Sequence, residues 1–208
     1  DEMSDSVFMA CPILSSAGKL TGQSKYFDMA ARHLSFMQKL CLRPDGLYRH
    51  SPLNEAAWGR GNAFPALGLA WTLSYFPREH PEFGRMLRAF QDHMATLARL
   101  QDDEGMWREV IDQRGSYNEY SATAMIATAM LRGIQYGWLD SAAYQPRVDR
   151  AWRAILARTG ADGRLMDVCE STGKQKFLKD YLHRAAILDR DARGGAMALL
   201  FATEYNAP

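Results

Sequence analysis

Four stretches of this chain, residues 6–18, 61–76, 120–131 and 194–203, carry no charge, and three amphipathic stretches, residues 24–40, 82–100 and 144–158, separate them. A helix that is apolar on every side, yet shorter than the ~20 residues a membrane span needs, is buried by neighbouring protein. One with a charged face lies against solvent. Strict alternation of the two kinds prescribes helical hairpins set side by side, with an inner and an outer layer. Period-two strand patterns are almost absent, so the expected class is all-α, an arc of about seven helices.

A repeat supports the arc. The turn after each outer helix uses similar residues: "PDGLYRH" at 44–50, "DEGMWRE" at 103–109 and "ADGRLMD" at 161–167, whose glycines Gly46, Gly105 and Gly163 are 59 and 58 residues apart. A second echo, at the turns from inner to outer helix, joins "GKLTGQSKYFDMA", which begins at Gly18, to "GWLDSAAYQPRVDRA", which begins at Gly137. Self-similarity at such a period means stacked units that share one core. An open arc exposes an apolar flank at each end, so either the rest of a ring lies upstream or another chain covers the edges. The chain also opens abruptly at "DEMSDSVFMACPIL" without an initiator Met, so a fragment is expected.

With 208 residues, 47% of them hydrophobic and 24% charged, there is apolar material for one sizeable core and no signature of disorder. Lys plus Arg (25) nearly balance Asp plus Glu (24) and are scattered, so nucleic acid is not an expected partner. No apolar run reaches membrane-spanning length. The three cysteines, Cys11, Cys41 and Cys169, lack ligand spacing and read as buried fillers in a reducing compartment, which suggests the cytoplasm. No His, Asp and Glu set has the spacing of a metal site, and no cofactor is expected.

Each inner helix begins with polar residues: Asp5; Arg60 and Asn62; Glu119 and Ser121; Asp191 and Arg193. Because the hairpins repeat in one sense, these four N-termini share one mouth, where unpaired N–H groups and helix dipoles favour an anion. Capping by Ser4 or Asp5, Asn118 and Asp191 accounts for part of this polarity. It does not account for Trp58, Arg60 and His50, because a cap needs a short acceptor. A Trp beside an Arg suits an aromatic platform and a fork for a carboxylate.

At "WGRGNAF", residues 58–64, the sequence resembles the unsaturated glucuronyl/galacturonyl hydrolases, glycoside hydrolase families 88 and 105, and the unsaturated rhamnogalacturonyl hydrolases in particular. The likeness continues in order through "SDSVFMACPIL", "GLYRH", "YNEYSATAM" and "DARGGAMALLFATE", over nearly the whole chain. It implies an (α/α)₆ barrel of six helical hairpins, of which this chain, one domain over residues 1–208, would lack the first two to three. At the observed repeat a full ring needs roughly 350 residues. The resemblance puts the acid/base aspartate on Asp5 and the sugar site on His50, Trp58, Arg60 and Asn62. Phe64 stands where the family often has Trp. Glu119, Ser121, Asp191 and Arg193 are further pocket candidates.

The chemistry so implied hydrates a 4,5-unsaturated uronic acid at the non-reducing end of a lyase-generated oligosaccharide. Asp5 would start protonated, a state favoured between apolar helices because the charged form is costly there. A sugar epimerase on the same helical scaffold is the alternative and would need two histidines at the mouth, His50 and His183 being the candidates. A fragment that only binds sugar is the other. Expected partners are the unsaturated oligosaccharide and, for the bare flanks, the missing N-terminal part or a second copy.

Overall fold

A computed structural model describes residues 2–206 and contains, among them, eight α-helices and four two-residue strands. The inner row is α1 (Ser6–Thr21), α3 (Gly59–Tyr75), α5 (Tyr120–Gln135) and α8 (Ala192–Tyr205), each packed on the next. The outer row is α2 (Ser24–Cys41), α4 (Phe83–Arg99) and α6 (Ser141–Ala157), which back α1, α3 and α5 respectively. The alternation read from charge is therefore the alternation of layers.

Local chemistry explains the two kinds of helix. α4 buries Met86, Phe90, Met94 and Leu97 at helical spacing and turns its charges outward. In α3 and α5 nearly every residue is buried, because another inner helix or the outer row lies on each side. Where α1 crosses α3, a Cβ on Gly68 would meet the Phe8 backbone at 2.7 Å, so glycine sets how closely the two helices, and the residues at their N-termini, approach.

The recurrent turn has one geometry. Gly46, Gly105 and Gly163 have φ of 87°, 91° and 82°, a region costly for residues with a Cβ. Each donates its N–H three residues back, to Arg43, Asp102 and Gly160, and in each turn an aspartate (Asp45, Asp102 or Asp162) accepts a backbone N–H. Gly46 then leans on Thr96 of α4, and Gly105 on the Arg150 backbone of α6, each the outer helix of the next hairpin. The second echo is offset by four residues. Gly22 (φ 68°) and Gly137 (φ 70°) end the inner helices, and Gly18 matches Gly133 one turn earlier.

Three expectations need correction. An eighth helix, α7 (Leu178–Leu182), is too short to leave a periodic pattern. The strands, β1 (Trp107–Arg108) with β2 (Asn118–Glu119) and β3 (Val168–Cys169) with β4 (Ala186–Ile187), are antiparallel pairs at the roots of loops. The bare flanks expected of an open arc are those of α1 and α8, where Met9 and Ile13 are 54% and 69% exposed and Leu199 68%, since the described residues supply no neighbour on those sides. Finally, the α5 cap is Glu119 rather than Asn118, and neither Ser4 nor Asp5 caps α1 with its side chain, whereas Asp191 does cap α8 by accepting from Gly194 N–H.

Candidate active site

The four inner N-termini do converge. A cavity of about 420 Å³ is lined by Phe8 and Met9 of α1, Arg60 and Phe64 of α3, Ser121 and Met125 of α5, and Arg193 and Met197 of α8, with Thr172 at its rim. Its floor is apolar and its mouth polar because each inner helix changes character after its first turn. Arg60 bridges two of the helices by donating from Nη1 to Ser121 Oγ at 3.0 Å.

Asp5 lies beside this mouth. Its carboxylate is buried, with Oδ1 3.2 Å from His50 Nε2 and Oδ2 accepting a long hydrogen bond, 3.4 Å, from Thr172 Oγ1. The turn carrying His50 is tied to the start of α1, since Ser4 N–H donates to the His50 carbonyl at 2.9 Å. His50 is buried too, and its Nδ1 lies 2.8 Å from the Tyr181 hydroxyl.

The segment between β3 and β4 covers the mouth. Its Ser171 carbonyl accepts from Arg60 Nη2, its Gln175 carbonyl from Asn54 Nδ2, and its Arg184 lies over Trp58. Ser171 holds φ at 62°, uncommon for a residue with a side chain and stabilised here by the bond from Arg60 to its carbonyl. β3 is anchored in turn to the cap of α5, because Cys169 N–H donates to Glu119 Oε1 at 2.9 Å.

Not every sequence candidate faces the cavity. Trp58 is fully buried, with His50 at 4.4 Å between ring centroids and the guanidiniums of Arg60 and Arg184 at 5.0 and 4.7 Å. It organises those groups, and Phe64, paired with Phe8 at 5.4 Å, is the aromatic of α3 on the cavity wall. Asn62 accepts from Tyr48 N–H and donates to the carbonyls of Tyr48 and Trp58, so its amide pins the Tyr48 turn to α3. Glu119 accepts from Ser121 N–H, Ala122 N–H and the Ser121 hydroxyl, the work of a helix cap. Asp191 combines its cap with a 2.7 Å pair to Arg193. His183 is exposed at the end of α7 and does not join His50.

Four residues at the site carry no sequence signal: Thr172, Tyr181, Arg184 and Glu109. The first three stand in a Lys- and Gly-bearing stretch that reads as a solvent loop. Glu109, in the second repeat turn, is fully buried, and burial pushes its carboxyl up to about 8, aided by the charge of Glu119 and opposed by nearby Arg184 and by hydrogen bonds from Cys169 and Ser116. All three cysteines are free and buried. No helix among the described residues is long and apolar enough to cross a membrane.

Known proteins are similar to this chain in sequence and fold. The unsaturated rhamnogalacturonyl hydrolase YesR of Bacillus subtilis is 29% identical over 185 residues, which cover 85% of this chain and 52% of that protein. An unsaturated 3S-rhamnoglycuronyl hydrolase of Formosa agariphila is 28% identical over 179 residues, 77% of this chain and 48% of its own length. A crystal structure from Klebsiella pneumoniae, described as "a possible member of GH105 family", superposes with a TM-score of 0.90 at 26% identity, covering 98% of this chain and 55% of that one. The chain thus spans about half the length of these two relatives. The family model "Glycosyl Hydrolase Family 88" matches residues 4–207, and the chain, a helical-hairpin arc of that family's barrel, belongs to it.

Proposed function

We propose that the chain carries the acid/base and carboxylate-binding part of a hydrolase that removes a 4,5-unsaturated uronic acid from the non-reducing end of lyase-generated oligosaccharides, such as an unsaturated rhamnogalacturonan disaccharide. The observation that carries this reading is Asp5, a buried carboxyl beside a cavity whose other mouth residues include two arginines, Arg60 and Arg193. The names of the B. subtilis and F. agariphila relatives supply the substrate class.

In this mechanism Asp5 gives its proton to C4 of the vinyl ether, and the cation at C5 is stabilised by the ring oxygen. Water adds at C5 and returns a proton to the Asp5 carboxylate. The resulting hemiketal opens to a ketone, and the hemiacetal left at C1 collapses to release the neighbouring sugar. One carboxyl therefore acts twice, unlike the paired carboxyls of ordinary glycosidases. Arg60 and Arg193 hold the uronate with charge-assisted bonds, Ser121 adds a hydroxyl, and Phe64 and Phe8 take a sugar face. No step in this scheme calls for a metal or cofactor.

Free, buried cysteines fit a reducing compartment, which is why we place the protein in the cytoplasm. The bare flanks of α1 and α8 fit pairing with further hairpins of the barrel or with a second copy. The test offers an unsaturated disaccharide and its saturated counterpart in parallel. Hydration consumes the absorbing double bond and releases the neutral sugar from the first only. Equal cleavage of both would make the enzyme an ordinary glycosidase, and a change in optical rotation of the saturated sugar without cleavage would make it an epimerase.

A further inference from the structure

We infer that Tyr181 is a positioning residue that fixes the tautomer of His50 and so leaves Asp5 Oδ2 as the oxygen that carries the reactive proton. The inference rests on the acid role proposed for Asp5.

Tyr181 is fully buried on α7, and its phenolic oxygen accepts from Gln175 N–H at 3.0 Å while lying 2.8 Å from His50 Nδ1. A backbone N–H only donates, so among the described residues the single phenolic proton has one acceptor available, His50 Nδ1. The opposite polarity, with Nδ1–H donating, would leave that buried proton without an acceptor, which native interiors avoid.

With Nδ1 accepting, a neutral His50 carries its proton on Nε2. That atom is 3.2 Å from Asp5 Oδ1, and both are buried with no hydrogen-bond partner of good geometry among the described residues. A chain of donors therefore runs from Gln175 N–H through the Tyr181 hydroxyl to His50, and places the Nε2–H dipole 3.2 Å from Oδ1 without an aligned hydrogen bond. The positive end of that dipole favours an unprotonated Oδ1, and the acid proton is left to Oδ2. This second oxygen faces Thr172, which lines the cavity.

The covering segment is thus part of the machinery. Its Thr172 and Tyr181 approach the two carboxylate oxygens by separate routes, and Arg184, over the Tyr181 ring at 4.9 Å, packs against the side chain in the middle of the chain. Trp58 backs His50 from the other side.

The experiment reads the tautomer directly in ¹⁵N-labelled protein, by long-range ¹H–¹⁵N correlation of the imidazole rings at about pH 8.5, where an ordinary imidazole is neutral. A His50→Gln variant assigns the His50 signals. The expected wild-type pattern is a single Nε2–H tautomer, and Tyr181→Phe, which keeps the ring, shifts it to an averaged or Nδ1–H pattern. In turnover of the unsaturated disaccharide, Tyr181→Phe lowers kcat by about 10–100-fold with KM changed less than about twofold. A wild-type Nδ1–H tautomer overturns the inference, as does an unaltered tautomer or an unaltered kcat in Tyr181→Phe. The spectra need no substrate, so they decide the hydrogen-bond chain even where hydration itself is disproved, and the wild-type spectrum decides it if the variant fails to fold.

Discussion

Glu109→Gln probes the energetic cost of the burial around the site. Glu109 is fully buried, its carboxyl within 3.5 Å of Ser116 Oγ and 3.8 Å of Cys169 Sγ, both weak donors at such distances. Burial lifts the group from 4.5 to about 8. The folded protein therefore keeps a proton that the unfolded chain has released, and stability falls as pH rises between these two values. Below about 4.5 both states are protonated and the group contributes no slope; above about 8 both have lost the proton and the loss is complete. Each unit is worth about 1.4 kcal/mol, and relaxation around a buried charge reduces the total, so a loss of about 2–4 kcal/mol is expected across the window. Gln is neutral throughout. Whatever constant offset its extra N–H introduces, the difference between wild type and Glu109→Gln should change by that amount from pH 5 to pH 8, a relative shift in Tm of roughly 5–15 °C. Paired thermal melts at half-unit pH steps measure it. Parallel stability curves for the two proteins would refute a buried, protonated Glu109.

Other residues give independent tests. Asn62→Ala leaves the buried N–H and C=O of Tyr48 without their partner and should lower stability by about 2–3 kcal/mol in a denaturant titration; a loss below about 0.5 would mean that water replaces the amide. Gly105→Ala meets the Arg150 backbone at 2.7 Å as well as a φ of 91°, whereas Gly163→Ala meets its φ of 82° and only an ordinary contact, Arg190 Nε at 4.0 Å, so the first should be the more destabilising by more than about 1 kcal/mol. Arg60→Ala should weaken binding of an unsaturated uronate by about 1.5–3 kcal/mol more than that of its uncharged analogue, measured by calorimetry; equal losses would confine Arg60 to its bonds with Ser121 and Ser171.

The layer order was legible because charge on a helix face reports solvent directly, and the turns were legible because a positive φ selects glycine three times over, at Gly46, Gly105 and Gly163. The mouth followed from hairpin sense, which explains why Asp5, Arg60 and Ser121 could be grouped from sequence, whereas His50 joined them through the family resemblance. Their detailed duties could not. Asn62 and Glu119 look like site residues in a string of letters, yet each lies beside backbone groups that must be paired, and that demand is visible only in three dimensions. In sequence Trp58 reads as a platform, because nothing in "WGRGNAF" announces that Arg184, far along the chain, lies over its ring. The covering segment escapes sequence patterning for a related reason: its five-residue helix is too short for periodicity, and the buried Tyr181 and Arg184 stand among exposed neighbours.

The central claim is that Asp5 supplies the proton for hydration, and Asp5→Asn tests it most directly. Asn keeps the shape of the side chain and can still accept from Thr172, but it has no acid proton to give. With wild-type and variant proteins matched in folding by circular dichroism and melting, and prepared in the longest natural form of the polypeptide, the double-bond absorbance of an unsaturated disaccharide is followed over time. Steady decay is expected with the wild type and none above background with Asp5→Asn. Decay at the wild-type rate in Asp5→Asn, or a wild type that binds the disaccharide and leaves its double bond intact, would contradict it.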